Sequence, residues 1–311
     1  MYKRQILGPI LFLLYVNDIN NCDTNAKFVK FADDTTVITA APTIQEASWK
    51  MNQSMDKVFT WFQSNKLNLN PSKTRYMIFN CKGNTDINHI HINGEYIERV
   101  WRQGQEKSFK LVGIMIDEQL NWEDHINYIA KKISYANYSL NRARNRLTTT
   151  TKKLLYSGLI HSHLVYGAPI WGFATQNRLD KLQKQQKKAI RRIYNLQYRD
   201  HTNNYYLDSR ILKLPDLLKH TTMCYMQSGL HEDSPRHIYE LWKIKPTRRD
   251  DLRYTGLKLY IEHTTKDWIA RLAPIAQARM WNENTLDTKT STAAFKQISK
   301  VKYLEQYAGT T

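Results

Sequence analysis

Phe28-Val29-Lys30-Phe31-Ala32-Asp33-Asp34-Thr35-Thr36-Val37-Ile38 places two adjacent carboxylates between two β-prone runs. Phe28, Val29 and Phe31 lead into the acidic pair and Thr35 to Ile38 lead out of it, the pattern of a strand–turn–strand hairpin. Neighbouring carboxylates repel one another, and charge held close to a buried sheet is costly unless a cation offsets it. The arrangement therefore invites a divalent metal. Mg²⁺ bound by one or two carboxylates, and completed by substrate phosphates and water, serves two-metal nucleotidyl transfer. An Asp-Asp pair alone is most often a solvated turn, so its neighbours decide the reading.

Downstream, Thr43 to Ser64 has helical spacing, with Ile44, Ala47, Met51, Met55, Val58, Phe59 and Phe62 on one face. Thr43 as N-cap and Glu46 three residues on form a capping box, and Leu67 to Pro71 ends the helix. Tyr76–Phe79 reads as a short strand. His89–Ile92 and Tyr96–Val100, separated by Asn93-Gly94-Glu95, read as a hairpin, and Phe109–Ile116 as one strand. Small strands around one helix make an α+β first part. After Asn121 the pattern is helical: Trp122–Leu147, Lys152–Val165, Leu179–Leu196, then weaker segments over Pro215–Gly229, Asp267–Trp281 and Thr292–Tyr307. In Leu179–Leu196 an apolar stripe (Leu179, Leu182, Ala189, Ile190, Ile193, Leu196) is edged by Lys181, Lys184, Lys187, Lys188, Arg191 and Arg192. Residues 117–121 mark the expected boundary.

The 311 residues hold 46 Lys/Arg against 28 Asp/Glu, a formal net charge of +18, with 41% hydrophobic and 12% aromatic residues. That composition excludes disordered, collagen-like and mucin-like chains. Cys22, Cys81 and Cys224 are too few and too scattered for a disulfide scaffold, so a reducing compartment is the default. Residues 1–118 carry 14 Lys/Arg against 12 Asp/Glu, and residues 119–311 carry 32 against 16, so the excess lies almost wholly in the second part. Such asymmetry suggests a polyanionic partner, most often nucleic acid. Ile6–Val16 imitates a signal peptide but is only 11 residues long and contains Gly8-Pro9, so it reads as a buried helix or loop-helix. No other stretch approaches membrane-spanning length.

Four stretches, taken together, resemble the palm of reverse transcriptases from non-LTR (LINE-type) retrotransposons. They are the run from Ile6 through Leu7-Gly8-Pro9 to Asp18-Ile19, then Phe28 to Thr35, then Leu67-Asn68-Leu69-Asn70-Pro71-Ser72-Lys73-Thr74, then Leu111-Val112-Gly113-Ile114. Leu120-Asn121-Trp122-Glu123-Asp124-His125-Ile126 and Tyr166-Gly167-Ala168-Pro169-Ile170-Trp171-Gly172 resemble the thumb and following helical region of the same elements. The likeness runs from residue 6 to about 215. It implies a partial right-hand polymerase: palm over 1–118, helical basic thumb over 119–215, and a helical C-terminal extension of unassigned role over 216–311.

By the same resemblance, Asp33 is the main metal ligand, Asp34 the auxiliary carboxylate, and Phe31 and Ala32 shape the turn. Lys73 matches the lysine proposed to neutralise or protonate the leaving pyrophosphate, a role suited to a mobile ammonium. The implied cofactor is Mg²⁺, and the implied partners are an RNA template, a DNA primer and deoxynucleoside triphosphates. No membrane is implied, and the family's location is intracellular, in nucleus or cytoplasm. The family also uses a further Asp from an earlier palm strand, basic fingers, and a Pro-Gln-Gly opening to the positioning motif. None of these is in the 311 residues, so the missing upstream part of a longer polyprotein is an expected partner and no unaided polymerase activity is expected. The first alternative is a non-catalytic nucleic-acid-binding relic, and the second an anionic-surface binder. His89 and His91 share one strand face without further metal-ligand partners, and His161 and His163 lie two apart on a helix.

Overall fold

The computed structural model describes residues 7–80, 89–231, 234–244, 258–261, 267–284, 286 and 290–308, so Ile6 and Cys81 lie outside it. The chain divides into two units, Met1–Leu120 and Asn121–Thr311. Unit 1 mixes one long helix with small sheets, and unit 2 is helical.

In unit 1, α1 (Leu7–Tyr15) precedes the hairpin of β1 (Lys27–Phe31) and β2 (Asp34–Ile38), and α2 (Ile44–Ser64) follows. The Thr43 hydroxyl accepts the Glu46 N–H at 3.2 Å, one half of the expected capping box, while the Glu46 carboxylate bridges Lys50 at 3.0 Å. Met55 and Val58 of α2 are buried with Ile90, Ile92 and Ile97, and Phe28 and Val37 of the hairpin pack against them. Those two residues face each other in the hairpin register, so its inner face sits on α2. β3 (Arg75–Tyr76) pairs in parallel with β6 (Glu98–Arg99), and β4 (His91–Ile92) pairs antiparallel with β5 (Glu95–Tyr96). Asn93 and Gly94 both have positive φ, +52° and +78°, as the two-residue primed turn requires. Glu95 consequently belongs to the strand rather than to the loop.

Further expectations over unit 1 need correction. The helix over Leu7–Tyr15 forms, but no residue in it is buried, and Leu7 and Leu14 are 64% and 68% exposed. Among the described residues its C-terminal end is tied down: the Lys30 ammonium donates to the carbonyls of Val16 and Asn17 at 3.3 and 2.9 Å, and the Tyr15 hydroxyl donates to the Asn65 carbonyl. Phe109–Ile116 is a hairpin, β7 (Phe109–Leu111) with β8 (Ile114–Ile116), rather than one strand. Val112 and Gly113 turn it at φ +45° and +83°; a β-branched residue is strained there, and Gly113 was the available signal. The strand at Tyr76–Phe79 is limited to Arg75–Tyr76, where Arg75 bridges Glu98 at 3.1 Å and Glu106 at 3.0 Å.

Asp23 is a buried anchor beneath this unit. Its carboxylate accepts from Ser54 Oγ at 2.6 Å, the Asn25 N–H at 3.0 Å and Lys57 Nζ at 2.9 Å. Burial pushes the carboxyl pKa up, but the hydrogen bonds from Ser54, Asn25 and Lys57 outweigh it and leave the group below its ordinary value. Stability from such a group is present above the unfolded pKa of about 4 and is lost as pH falls through the lower folded value. Asp23→Ala strands the Asn25 N–H, leaves the Ser54 hydroxyl to the Lys50 carbonyl 2.9 Å away, and is expected to cost about 2 kcal/mol at pH 7. Denaturant titrations at pH 7 and pH 3 check this, the gap between wild type and variant narrowing at the lower pH.

Unit 2 opens with α3 (Glu123–Arg142), whose face of Ile126, Ile129, Ile133, Ala136 and Leu140 is buried. It ends at Arg142 rather than Leu147, because Arg144 turns to donate to the Asn195 carbonyl at 2.8 Å. α4 (Thr149–Tyr156) continues through a π-helical turn (Ser157–His161) into α5 (Ser162–Val165), and α6 (Ala168–Trp171) follows. Trp171 is fully buried, its indole N–H donating to the Tyr166 carbonyl at 2.8 Å. α7 (Gln176–Ile193) runs beside α3 in the same direction, with Arg178 near Glu123, Lys181 on Asn127, and Asn137 on Gln185. The remaining helices are α8 (Asn203–Ser209), α9 (Leu214–Gly229), α10 (Arg236–Tyr239), α11 (Asp267–Ala270), α12 (Ala273–Asn282) and α13 (Thr292–Ala308). The segment over Asp267–Trp281 splits in two because Pro274 starts a new helix in its first turn. Early and late helices are joined: His220 Nδ1 of α9 lies 3.0 Å from Ser299 Oγ of α13, and Gln277 of α12 donates to the Pro169 carbonyl of α6 at 2.7 Å.

Two buried polar side chains bind the unit's interior. Lys152, 1% exposed, directs its ammonium at the carbonyls of Arg144 and Arg192 and at Asn195 Oδ1, at 3.3, 3.4 and 3.1 Å. Gln186 interrupts the apolar stripe of α7 and is fully buried. It donates to the Tyr156 hydroxyl and the Leu212 carbonyl, both at 2.9 Å. Fully paired polar groups of this kind fix which faces meet.

Candidate functional site

Phe31 pairs with Asp34 across the β1–β2 turn, so the turn consists of Ala32 and Asp33 alone. Ala32 has φ +53°, the positive value that a tight two-residue hairpin turn demands at its first position. Asp33 thus sits at the tip and Asp34 is the first residue of β2. Alternation puts Asp34 on the face with Val29 and Phe31, opposite the face that Phe28 and Val37 bury on α2. Both aspartates, and Phe31 at 61%, are exposed.

Among the described residues neither carboxylate has a hydrogen-bond or ion-pair partner, so both retain oxygens able to ligate a cation. The donor set suits a hard cation that binds through oxygen. Among the described residues no group of three or more His, Cys, Asp or Glu is placed to hold a metal, and the hairpin tip presents two carboxylates. Lys73 is exposed at the end of the 3₁₀ turn Pro71–Lys73, apart from the hairpin in sequence and element. His89 and His91 flank the Tyr96 ring at 5.2 and 5.1 Å, an aromatic cluster on a hairpin.

The basic residues of α7 fall into two kinds. Lys181, Lys184, Lys187 and Lys188 are exposed, and Lys181 Nζ reaches Asn127 Oδ1 on α3 at 3.1 Å. Arg191 and Arg192 are half-buried. Arg191 donates to the Asp200 carbonyl at 3.3 Å and lies 5.7 Å from the Tyr198 ring. Burial, and then the Arg144 charge, lower the pKa of Arg192. The amphipathic pattern located the four lysines; it could not foresee that the helix end turns inward and takes both arginines partly with it. Among the described residues no helix is long and apolar enough to cross a membrane.

The hairpin and its surroundings place the chain in a class. Residues 5–116 match the family described as "Reverse transcriptase (RNA-dependent DNA polymerase)", so this part of the chain is similar to that family. Reverse transcriptases as a family are metal-dependent. Curated relatives extend the likeness to proteins of mobile and retrotransposable elements. The chain is 25% identical over 248 residues to the RNA-directed DNA polymerase from mobile element jockey of Drosophila melanogaster, covering 75% of this chain and 26% of that protein. It is 23% identical to the probable RNA-directed DNA polymerase from transposon X-element of Drosophila melanogaster, covering 79% and 27%. It is 22% identical to the Pol polyprotein from type-1 retrotransposable element R1 of Nasonia vitripennis, covering 54% and 51%. An alignment of 248 residues is longer than unit 1, so unit 2 shares in the relationship. The chain spans about a quarter of the length of the jockey and X-element relatives. No solved structure matches it.

Proposed function

We propose that the chain is the palm and thumb portion of an RNA-directed DNA polymerase that adds deoxynucleotides to a DNA primer on an RNA template. The observation that carries the reading is the Ala32-Asp33 turn, which leaves two unpartnered carboxylates at the exposed tip of a hairpin inside the family match. In this reading unit 1 is palm. Residues 119–215 are thumb, and residues 216–311 an extension that packs with it.

Asp33 and Asp34 would hold Mg²⁺, with Asp33 the principal ligand. When bound, the ion supplies charge for the triphosphate and the primer oxygen. The inner face of the hairpin, seated on α2, holds the two carboxylates in place, and Lys73 would offer a proton to the departing pyrophosphate. A third carboxylate would have to come from outside the described residues. The 311 residues alone are therefore expected to give no detectable extension.

Lys181, Lys184, Lys187 and Lys188, with Arg191 and Arg192 behind them, would meet the phosphates of the template–primer duplex. Backbone contacts by lysine bind without reading sequence and weaken steeply with salt. Titration of the chain with RNA–DNA duplexes of unrelated sequence, between 50 and 200 mM salt (about the range over which ten-fold or greater losses occur), tests the thumb assignment. Equal affinities across sequences and a steep fall with salt support it, and a flat salt response contradicts it. A relic that binds nucleic acid without catalysis is the second reading. It shares the duplex binding and differs only in the chemistry at Asp33.

A further inference from the structure

Opposite its buried face, α3 carries a row of aromatic and basic side chains that no role above uses. Tyr128, Lys131 or Lys132, Tyr135, Tyr138 and Arg142 recur at three- and four-residue intervals and so share one side of the helix, with the two adjacent lysines on either side of its midline. Tyr135 and Tyr138 are 63% and 60% exposed. Lys132 Nζ lies 5.7 Å from the centre of the Tyr128 ring, and the Arg142 guanidinium lies 6.0 Å from that of Tyr138 while donating to its hydroxyl at 3.2 Å. The row also borders the lysine face of α7, since Lys181 bonds Asn127 on the same side of α3.

Charge narrows the choice of partner. Between Asp124 and Asp180 the sequence contains no Asp or Glu at all, while eight Lys or Arg fall in that interval, six of them besides the buried Lys152 and the Glu123-paired Arg178. A cationic surface without counter-charges fits a polyanion. Lysines alone would suit any duplex, but the paired exposed tyrosines add something a duplex cannot use. Its bases are stacked on one another and offer no free ring face, whereas unpaired bases stack on aromatic side chains. Tyr135 and Tyr138 are about 4.5 Å apart along the helix axis, and the row from Tyr128 to Arg142 spans about 21 Å, enough for a few unpaired nucleotides.

We infer that the outward face of α3 is a binding track for single-stranded RNA: bases stack on Tyr135 and Tyr138, and Lys131, Lys132 and Arg142 meet the phosphates. This deepens the proposed function, since the strand it fits is template not yet, or no longer, paired with primer. RNA rather than DNA follows from that reading, and the Tyr138 hydroxyl and the Ser139 side chain stand on the track as partners for a 2′-hydroxyl.

The test uses the full 311-residue chain and a fluorescent, unstructured 12-nucleotide RNA, with an RNA–DNA duplex and the DNA counterpart of the 12-mer as the other arms. Tyr135→Ala/Tyr138→Ala is expected to weaken single-stranded RNA binding about ten-fold or more, since stacking contributes about 1–3 kcal/mol per base, and to change duplex binding less than two-fold. Tyr135→Phe/Tyr138→Phe keeps the rings and should stay within about three-fold of wild type. Both positions are exposed, and an unchanged circular dichroism melt shows that either variant is folded. Wild-type affinity in the double alanine variant overturns the track, as does an equal loss in the phenylalanine variant. A loss confined to the duplex, or tighter binding of the DNA strand than of the RNA, also overturns it. Failure of the wild type to bind the duplex would instead strike at the proposed function itself.

Discussion

Asp33→Ala, placed in a polymerase completed with fingers and the earlier Asp-bearing palm strand, is expected to reduce deoxynucleotide incorporation at least about a thousand-fold. A metal ligand aimed at the reacting phosphate acts where charge develops, and losing about 4 kcal/mol of transition-state stabilisation has that effect on rate. Folding should survive, because Asp33 is exposed at the turn and makes no contact that the core relies on. Alanine also removes the repulsion between neighbouring carboxylates, so the thermal midpoint should hold or rise slightly while activity disappears. Asp34→Ala should fall less far, as an auxiliary ligand would. Incorporation within ten-fold of wild type by the Asp33 variant, measured by single-nucleotide extension, would remove Asp33 from the chemistry and favour the relic.

Reversing Lys184, Lys187, Lys188 and Arg191 to Glu is expected to weaken RNA–DNA duplex binding about a hundred-fold or more at 0.1 M salt, for every sequence alike. The argument is electrostatic. Each neutralised phosphate releases condensed counterions, and losing the contacts should flatten the dependence of log K on log salt by about 0.7–0.9 for each one lost. The three lysines are exposed and anchor nothing. Arg191 is half-buried and holds the Asp200 carbonyl, so the triple lysine variant separates lost phosphate contacts from a disturbed helix end. A residual affinity within two-fold of wild type would make the α7 face a merely solvated one.

What the sequence disclosed depended on how local each feature was. The acidic hairpin was legible because alternation and a tight turn are set by adjacent residues. The capped helix at Thr43 was legible because spacing and cap chemistry agree. The lysines of α7 followed from amphipathic spacing. Tertiary partners were not legible. Nothing near Asp23 in sequence says that Ser54 and Lys57 will close over it, and nothing near Lys152 says that it will join the ends of two helices. The exposure of the Leu7–Tyr15 helix is not legible, because an apolar run states a preference for burial without naming what covers it. The hairpin at Val112-Gly113 is hidden because valine argues for strand, and the positive φ it adopts is imposed by the strands on either side. The tyrosine row on α3 could be counted in the sequence, but its exposure could not, since tyrosine at helical spacing is as readily core.

RNA-templated incorporation is the measurement that bears most directly on the account. The chain would be joined to fingers and the earlier palm strand and given a primed RNA, deoxynucleoside triphosphates and Mg²⁺. The account predicts full-length complementary DNA, lost on chelation of the metal and lost in Asp33→Ala. A correctly folded assembly that binds the primed RNA yet incorporates nothing at any Mg²⁺ concentration would contradict it.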